Sequence, residues 1–508
     1  MSNELSRTKK FFYSTAATAL YQLVIFLSGM IIPKIMLVFY SSEVNGLVTS
    51  ITQFITYFNL VEAGLSGAAV YALYKPIANK NWGAISSVVV ATRKFYIQVG
   101  TIFLLLIGGF AVAYPFIVET GVLSPLGIGA LVLVLGASSV LEFFTLAKYR
   151  VLLTADQKTY ILSTASLIQV VLNTIIIYVL AYFEVDIITL RAVALLSVFV
   201  RTVILMIYVK RKYPEVDYTA EPNTKALDKR WDAMYLQVLG AIHTGALVVI
   251  LTVVVKDLLL VSVFSIYNMI IVGLHGVMSI FSTGLSASFG DVIVKKQTAI
   301  LQDSYQQFEL IYLSIMTAIY ATAMVMIMPF IKIYTEGITD VNYIVPTVGI
   351  LIVLNAFFYN LKSPQAMLVI AAGMYKETRW QTTIQGAIMV ILGCVLGYFW
   401  KIEGILIAAI ISNFYRDIDL LCFAPKKITQ LPISNSFIRW LRSIICFMII
   451  VGIFSICSIP PHNSYGEWIL WACLVFMSSI IVVFLNNFFF ERNIFLNSIT
   501  CVKSVFKK

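Results

Sequence analysis

Apolar runs of about 20 residues recur along the whole chain, separated by short polar segments. A bilayer core of roughly 30 Å takes about 20 helical residues to cross, so each run predicts a transmembrane helix. The runs are continuous rather than alternating, which excludes a transmembrane β-barrel. The pattern places spans at 12–38, 45–73, 95–118, 126–147, 160–183, 189–209, 233–255, 259–289, 308–331, 344–371, 382–400, 404–423, 441–459 and 467–489. The predicted fold is an all-α polytopic membrane protein of about fourteen transmembrane helices. The start, Ser6-Arg7-Thr8-Lys9-Lys10 before an apolar run, has the look of a signal peptide. The run from Phe11 to Tyr40 is too long for one and lacks a small-x-small cleavage site. It reads as an uncleaved first span.

Composition agrees with this pattern. The chain of 508 residues is 60% hydrophobic and only 12% charged, against about 25% charged in a soluble domain. The net charge of +11 would suggest nucleic acid in a soluble protein. Here the basic residues sit in short loops between apolar spans, so no nucleic-acid partner is expected and the charge reads as an orientation signal. With the N-terminus inside, 29 of the 36 Lys and Arg fall on inside segments and 5 on outside ends. Arg201 and Lys362 fall within spans and complete the count. Both termini are therefore expected in the cytoplasm. The six cysteines form no C-x-x-C pair and indicate neither a zinc site nor a disulfide framework.

Residues 210–231 form a polar stretch with Pro214, Pro222 and mixed charges, read as a cytoplasmic linker between halves. Three short matches support an internal repeat. Gly64-Leu65-Ser66 recurs as Gly284-Leu285-Ser286, Pro115-Phe116-Ile117 as Pro329-Phe330-Ile331, and Lys158 before span five matches Lys376 before span eleven. Their offsets are 220, 214 and 218. The expected organisation is a six-helix lobe over 1–209, the linker 210–231, a second six-helix lobe over 232–424, and two extra spans with a tail over 425–508. Six spans per repeat give the lobes one orientation, related by a pseudo-two-fold along the membrane normal.

Span two carries Asn45-Gly46-Leu47, Leu60-Val61-Glu62-Ala63-Gly64-Leu65-Ser66 and Tyr71-Ala72-Leu73-Tyr74-Lys75-Pro76-Ile77-Ala78. These stretches, with Leu152-Leu153-Thr154-Ala155-Asp156-Gln157-Lys158-Thr159-Tyr160 before span five, resemble the Wzx-like bacterial oligosaccharide flippases. The match covers the first half well and the second half in outline. The resemblance implies membership of the multidrug/oligosaccharidyl-lipid/polysaccharide exporter superfamily, in which lipid II flippases of the MurJ type are relatives. It implies two lobes around a cavity open to one side at a time. The implied cargo is an oligosaccharide on undecaprenyl diphosphate, moved across a bacterial cytoplasmic membrane for capsule, exopolysaccharide or O-antigen assembly. The partners so implied are the lipid-linked oligosaccharide, membrane lipids and other polysaccharide-assembly proteins.

A charge inside a span costs on the order of 2.5–3.5 kcal/mol on insertion scales, so ionisable residues there are functional suspects. Arg201 in span six and Lys362 in span ten are suspected contacts for the diphosphate; snorkelling to the cytoplasmic interface is the alternative. Glu62 in span two reads as a proton or sodium site, as a neutraliser of a cavity cation, or as a structural partner. Glu142 in span four has the same readings. His243 and His275 are either proton-linked or satisfied polar contacts between helices. Asp417-x-Asp419 reads as a charged helix end. The chain has no Walker A, H-E-x-x-H or G-x-S-x-G motif, so no cofactor and no enzymatic activity are expected. Drive by H+ or Na+ coupling, or by the cargo gradient, stays open. Two other readings compete with this one: a membrane polysaccharide polymerase or polyprenyl-dependent glycosyltransferase, and a MATE-type small-molecule exporter. The short outer loops speak against the first; only span two separates the second.

Overall fold

The computed structural model describes residues 7–62, 65–224, 240, 245–374, 376–457 and 464–506. Among the described residues the regular structure is helical, without strands. Ten of the helical segments are long and apolar enough to cross a membrane. The chain divides into two compact units, Met1–Ser262 and Val263–Lys508.

The first unit contains α1 (Arg7–Phe39), α2 (Ser42–Phe58), α3 (Leu65–Ala78), α4 (Trp82–Ala113), α5 (Pro125–Leu141), α6 (Ala147–Ala155), α7 (Thr159–Tyr182), α8 (Ile187–Ala194) and α9 (Leu196–Lys212). A shorter helix, α10 (Gly245–Val255), follows. Polar residues at the turns start the helices by accepting bonds from their free N–H groups. Ser41 accepts from the Val44 amide at 3.2 Å, Asn81 from Ala84 at 3.0 Å and Asp186 from Ile188 and Thr189 at 3.0 Å. Ser124 caps α5 with Pro125 in its first turn, where a missing N–H costs nothing.

Inside the unit α1 packs on α7, α4 on α3 and α5, and α7 on α9. Leu47, Ile51, Leu73, Phe103, Leu131 and Ile177 are buried in its core. The outward faces are apolar as well: Leu105, Val112, Phe116 and Leu126 are exposed. Such a surface suits lipid and not water.

The Asn45-Gly46-Leu47 stretch earns its residue types by packing. A Cβ on Gly46 would stand 1.9 Å from the backbone oxygen of Leu258, so only glycine allows this approach. Beside it Asn45 donates to Ser262 Oγ at 2.8 Å. One turn on, the Ser50 and Thr252 hydroxyls bond at 2.7 Å and Tyr114 donates to Ser50 at 2.7 Å. Residues 213–224 lie along the start of α4, with the Asp217 amide on Ser86 Oγ at 2.9 Å and the Asn223 amide on Ser87 O at 3.2 Å.

The second unit holds most of α11 (Leu258–Val294), then α12 (Thr298–Tyr334), α13 (Pro346–Leu361), α14 (Ser363–Ala371), α15 (Arg379–Ala424), α16 (Ile433–Ile456), α17 (Tyr465–Phe490) and α18 (Arg492–Phe506). The helix α12 is its centre and packs against α13, α16 and α17. At Trp400 and Lys401 the backbone of α15 leaves helical geometry, with Lys401 at φ 49°. A Cβ on Gly404 would lie 2.1 Å from Leu396 O, and Ser412 donates to Gln385 O at 2.8 Å. The two arms of α15 therefore run antiparallel, matching the separate spans expected at 382–400 and 404–423.

Four expected spans are helical but interrupted; one of them, 189–209, breaks at Leu195 between α8 and α9. In 45–73 a 3-10 turn, Asn59–Glu62, lies between α2 and α3. In 126–147 a π turn, Glu142–Leu146, joins α5 to α6. In 344–371 the helix breaks at Lys362 between α13 and α14. Pro364 explains the last: it has no N–H to return to Asn360 O, and the Lys362 amide takes that oxygen instead. Of the expected span 233–255 only residue 240 and α10 lie within the described residues.

Candidate functional site

In the first unit the suspected carboxylates sit at the helix interruptions. Glu62 closes the 3-10 turn and Glu142 opens the π turn. Arg150 on α6 reaches both. Its guanidinium bonds Glu62 directly, meets Glu142 Oε1 at 3.2 Å, and donates to the Tyr96 hydroxyl at 3.2 Å. Tyr96 in turn donates to Glu62 at 3.2 Å. Arg201 on α9 donates to Gln169 Oε1 at 3.2 Å and stands 3.8 Å from Glu142 Oε1. The four charges alternate in sign: Glu62, Arg150, Glu142, Arg201.

This alternation is what a low-dielectric setting demands, since intramembrane charges persist by pairing with one another. Broken backbone at membrane depth is tolerated where protein or a cavity surrounds it. The cluster is not sealed: the Glu142 side chain is 30% exposed and that of Arg150 27%. The Nε of Arg150 and the Nε of Arg201 are buried and make no hydrogen bond among the described residues.

In the second unit Lys362 occupies the α13–α14 break. Its ammonium donates to Asn413 Oδ1 at 2.9 Å and to Tyr359 O at 3.2 Å, and lies 4.9 Å from the Tyr359 ring centre. Asp417, on the second arm of α15, faces it at 3.5 Å. Asn413 also donates to Asn355 Oδ1 at 2.9 Å, and Gln385 donates to Asn413 at 3.3 Å. His275 on α11 accepts from Asn360 Nδ2 at 2.8 Å through Nδ1, which places its proton on Nε2. The Tyr320 hydroxyl is 3.1 Å from the same nitrogen. His243 lies outside the described residues.

A second buried charge cluster ties α16 to α12. Arg439 bonds Glu309 Oε2 at 2.8 Å and Glu491 Oε2 at 2.6 Å, while Arg442 bonds Glu491 Oε1 at 2.6 Å. Gln365 of α14 donates to Glu309 Oε1 at 2.7 Å. An apolar cavity of about 300 Å³ lies between α11, α12 and α17, lined by Ile270, Leu274, Ile327, Phe330, Trp468 and Phe476. Its lining carries no charge.

Sequence reasoning missed Arg150, Asp417, Glu309 and Arg439 as members of ion pairs. Arg150 was counted with the cytoplasmic-side basic residues, although it lies eight residues after Glu142, two turns along the same rod. The reading of Asp417 as part of a charged helix end is corrected by its burial. Asp419, more exposed, bonds Arg416 instead. The spacing i, i+1, i+3 puts Asp417 on a different face from that pair.

No protein-family model matches the chain. No curated protein matches it. Solved structures do. The lipid II flippase MurJ in an inward closed conformation superposes with a TM-score of 0.70 at 16% identity, over 95% of this chain and 99% of that one. A multidrug resistance MATE family transporter of the MOP superfamily, inward-facing, gives 0.63 at 13% identity, over 86% and 96%. A MOP superfamily transporter from Pyrococcus furiosus gives 0.55 at 13% identity, over 86% and 94%. At these identities the likeness establishes architecture: the chain is a multi-pass, all-helical membrane protein with the fold that MurJ and the MATE transporters of the MOP superfamily share.

Proposed function

We propose that the protein is a flippase that moves an undecaprenyl-diphosphate-linked oligosaccharide from the cytoplasmic to the outer leaflet by alternating access. The observation that carries this reading is the placement of paired charges at interrupted helices, Glu62, Arg150, Glu142 and Arg201 in one unit and Lys362 with Asp417 in the other. A diphosphate cannot cross hydrocarbon bare, because desolvating its charge costs many kcal/mol. Cationic side chains that pair with carboxylates are the groups able to receive it. A fold shared with a lipid II flippase and the span-two stretches that resemble Wzx-like flippases support the same cargo class.

In this reading Arg201 and Lys362 hold the headgroup, and Glu62 and Glu142 limit the positive potential around it. The prenyl tail stays in lipid. Two six-helix lobes of like orientation rock around the site, with spans thirteen and fourteen outside the repeat. Export serves capsule, exopolysaccharide or O-antigen assembly, alongside other polysaccharide-assembly proteins, and draws on H+ or Na+ coupling. Deleting the gene should make one lipid-linked glycan accumulate on the cytoplasmic leaflet. If none accumulates and drug resistance falls instead, the second reading, a MATE-type small-molecule exporter suggested by the inward-facing MATE likeness, replaces this one.

The protein sits in the bacterial cytoplasmic membrane with fourteen crossings and both termini inside, following the 29-to-5 basic bias. Single cysteines at Asn223 and Ser464, on a background free of native cysteines, report this. Position 223 should be protected from an impermeant outside reagent and position 464 labelled. The opposite pattern overturns the orientation.

A further inference from the structure

We propose that Asp417 couples cargo to protons: it takes up a proton when a diphosphate replaces it as the counter-ion of Lys362. This deepens the flippase reading and rests on its assignment of Lys362 to the headgroup. The two members of the pair depend on each other unequally. Lys362 has the Asn413 oxygen, the Tyr359 carbonyl and the Tyr359 ring besides its carboxylate. The Asp417 side chain is 1% exposed. Neither of its oxygens accepts a hydrogen bond among the described residues. Lys362 at 3.5 Å is its ion-pair partner. When the ammonium turns to a phosphate oxygen, Asp417 is left buried and bare. A carboxylate in that position neutralises itself by binding a proton.

The first unit shows the contrast. Glu142 and Lys362 are 220 positions apart, and Arg201 and Asp417 are 216 apart. Both offsets fall within the 214 to 220 of the repeated tripeptides. The same pair of spans in each half thus carries an ion pair, with the charges exchanged. Freed from Arg201, Glu142 still has Arg150 at 3.2 Å, and its side chain is 30% exposed. Among the described residues Asp417 has no second ion pair to fall back on.

The other charged groups around Asp417 are already engaged. On its own helix Arg416 bonds Asp419. From α13 come Lys362 and Tyr359. From α16, Arg439 and Arg442 are held by Glu309 and Glu491. On α11, His275 is an acceptor for Asn360. The step balances simply: a solvent proton bonds a carboxylate oxygen as the ammonium–carboxylate pair becomes an ammonium–phosphate pair. The proton leaves when the cargo departs and the original pair closes.

Calorimetric titration of the full-length protein in lipid nanodiscs with undecaprenyl diphosphate tests this. At pH 8, buffers of different ionisation enthalpy report protons taken up per molecule bound. Wild type should take up about one proton more than Asp417→Asn. The variant should also bind more tightly, because the competing counter-ion is gone. Asp417→Glu keeps a titratable group and should restore the uptake. Equal proton numbers for wild type and Asp417→Asn overturn the proposal and leave the headgroup assignment standing. Binding by the double variant Lys362→Gln with Asp417→Asn as tight as by Asp417→Asn alone overturns that assignment itself, whatever the proton count.

Discussion

Arg201→Gln is expected to abolish glycan export while leaving the protein inserted at its normal level. Loss of the guanidinium removes the charge that would receive the diphosphate. It does not strand a carboxylate, because Glu142 retains Arg150 at 3.2 Å and Gln169 can pair with the new amide. Lys362 needs a different design. Removing one partner of a buried ion pair costs about 3–5 kcal/mol, since the other charge stays behind unpaired. Lys362→Gln alone would therefore mix lost export with lost folding, Asp417 being buried and tied to that ammonium. The double variant Lys362→Gln with Asp417→Asn takes out both charges and keeps the shapes, a change that buried pairs often tolerate. It should insert like wild type and still fail to export. Complementation of the deletion strain, scored against the amount of folded protein in the membrane, reads both outcomes. Full complementation by Arg201→Gln and by the double variant would show that neither cation handles cargo.

The helical rods were legible because the bilayer forces a simple rule on the sequence: a run of about 20 apolar residues must be a helix. Interruptions inside the runs were not. Pro364 gives the break at Lys362 a local cause, but nothing in Glu142–Leu146 announces a π turn. A π turn is a single-turn bulge inside an α-helix, and the residue types of Glu-Phe-Phe-Thr-Leu do not distinguish it from continued α-helix. Arg201, Lys362, Glu62 and Glu142 stood out as charges in apolar surroundings. Arg150, the partner of Glu62 and Glu142, did not, nor did Arg439, the partner of Glu309, because both lie close to expected span ends, where a basic residue is ordinary. Burial separates the two cases: Arg439 is almost fully enclosed, whereas a snorkelling residue keeps its head in water.

Arg439→Leu is expected to lower stability by about 3–5 kcal/mol, the cost of breaking a buried pair. The guanidinium joins three helices. Its Nη1 bonds Glu309 of α12, its Nε and Nη2 bond Glu491 beyond the end of α17, and α16 carries it. Glu309 is fully buried, and among the described residues it would be left, without Arg439, with the neutral donors Gln365 and Tyr305, at 2.7 and 3.0 Å. Arg439→Lys restores a charge but not the planar fork that spans both carboxylates, so it should recover part of the loss. Acid adds a sign that can be checked. Burial pushes the Glu491 carboxyl up, but Arg439 and Arg442 outweigh it and hold the group below the usual carboxylate range. A carboxylate depressed in the folded state contributes stability above its unfolded value, about 4.3 for glutamate, and that contribution is lost as pH falls through the lower folded value. Melting of the detergent-purified protein between pH 7 and pH 3 should therefore decline more gently for Glu491→Gln than for wild type, from a lower starting point. A wild-type melting temperature that stays level in acid, or an Arg439→Leu protein as stable as wild type, would show that α16 and α17 are held to α12 by their apolar faces alone.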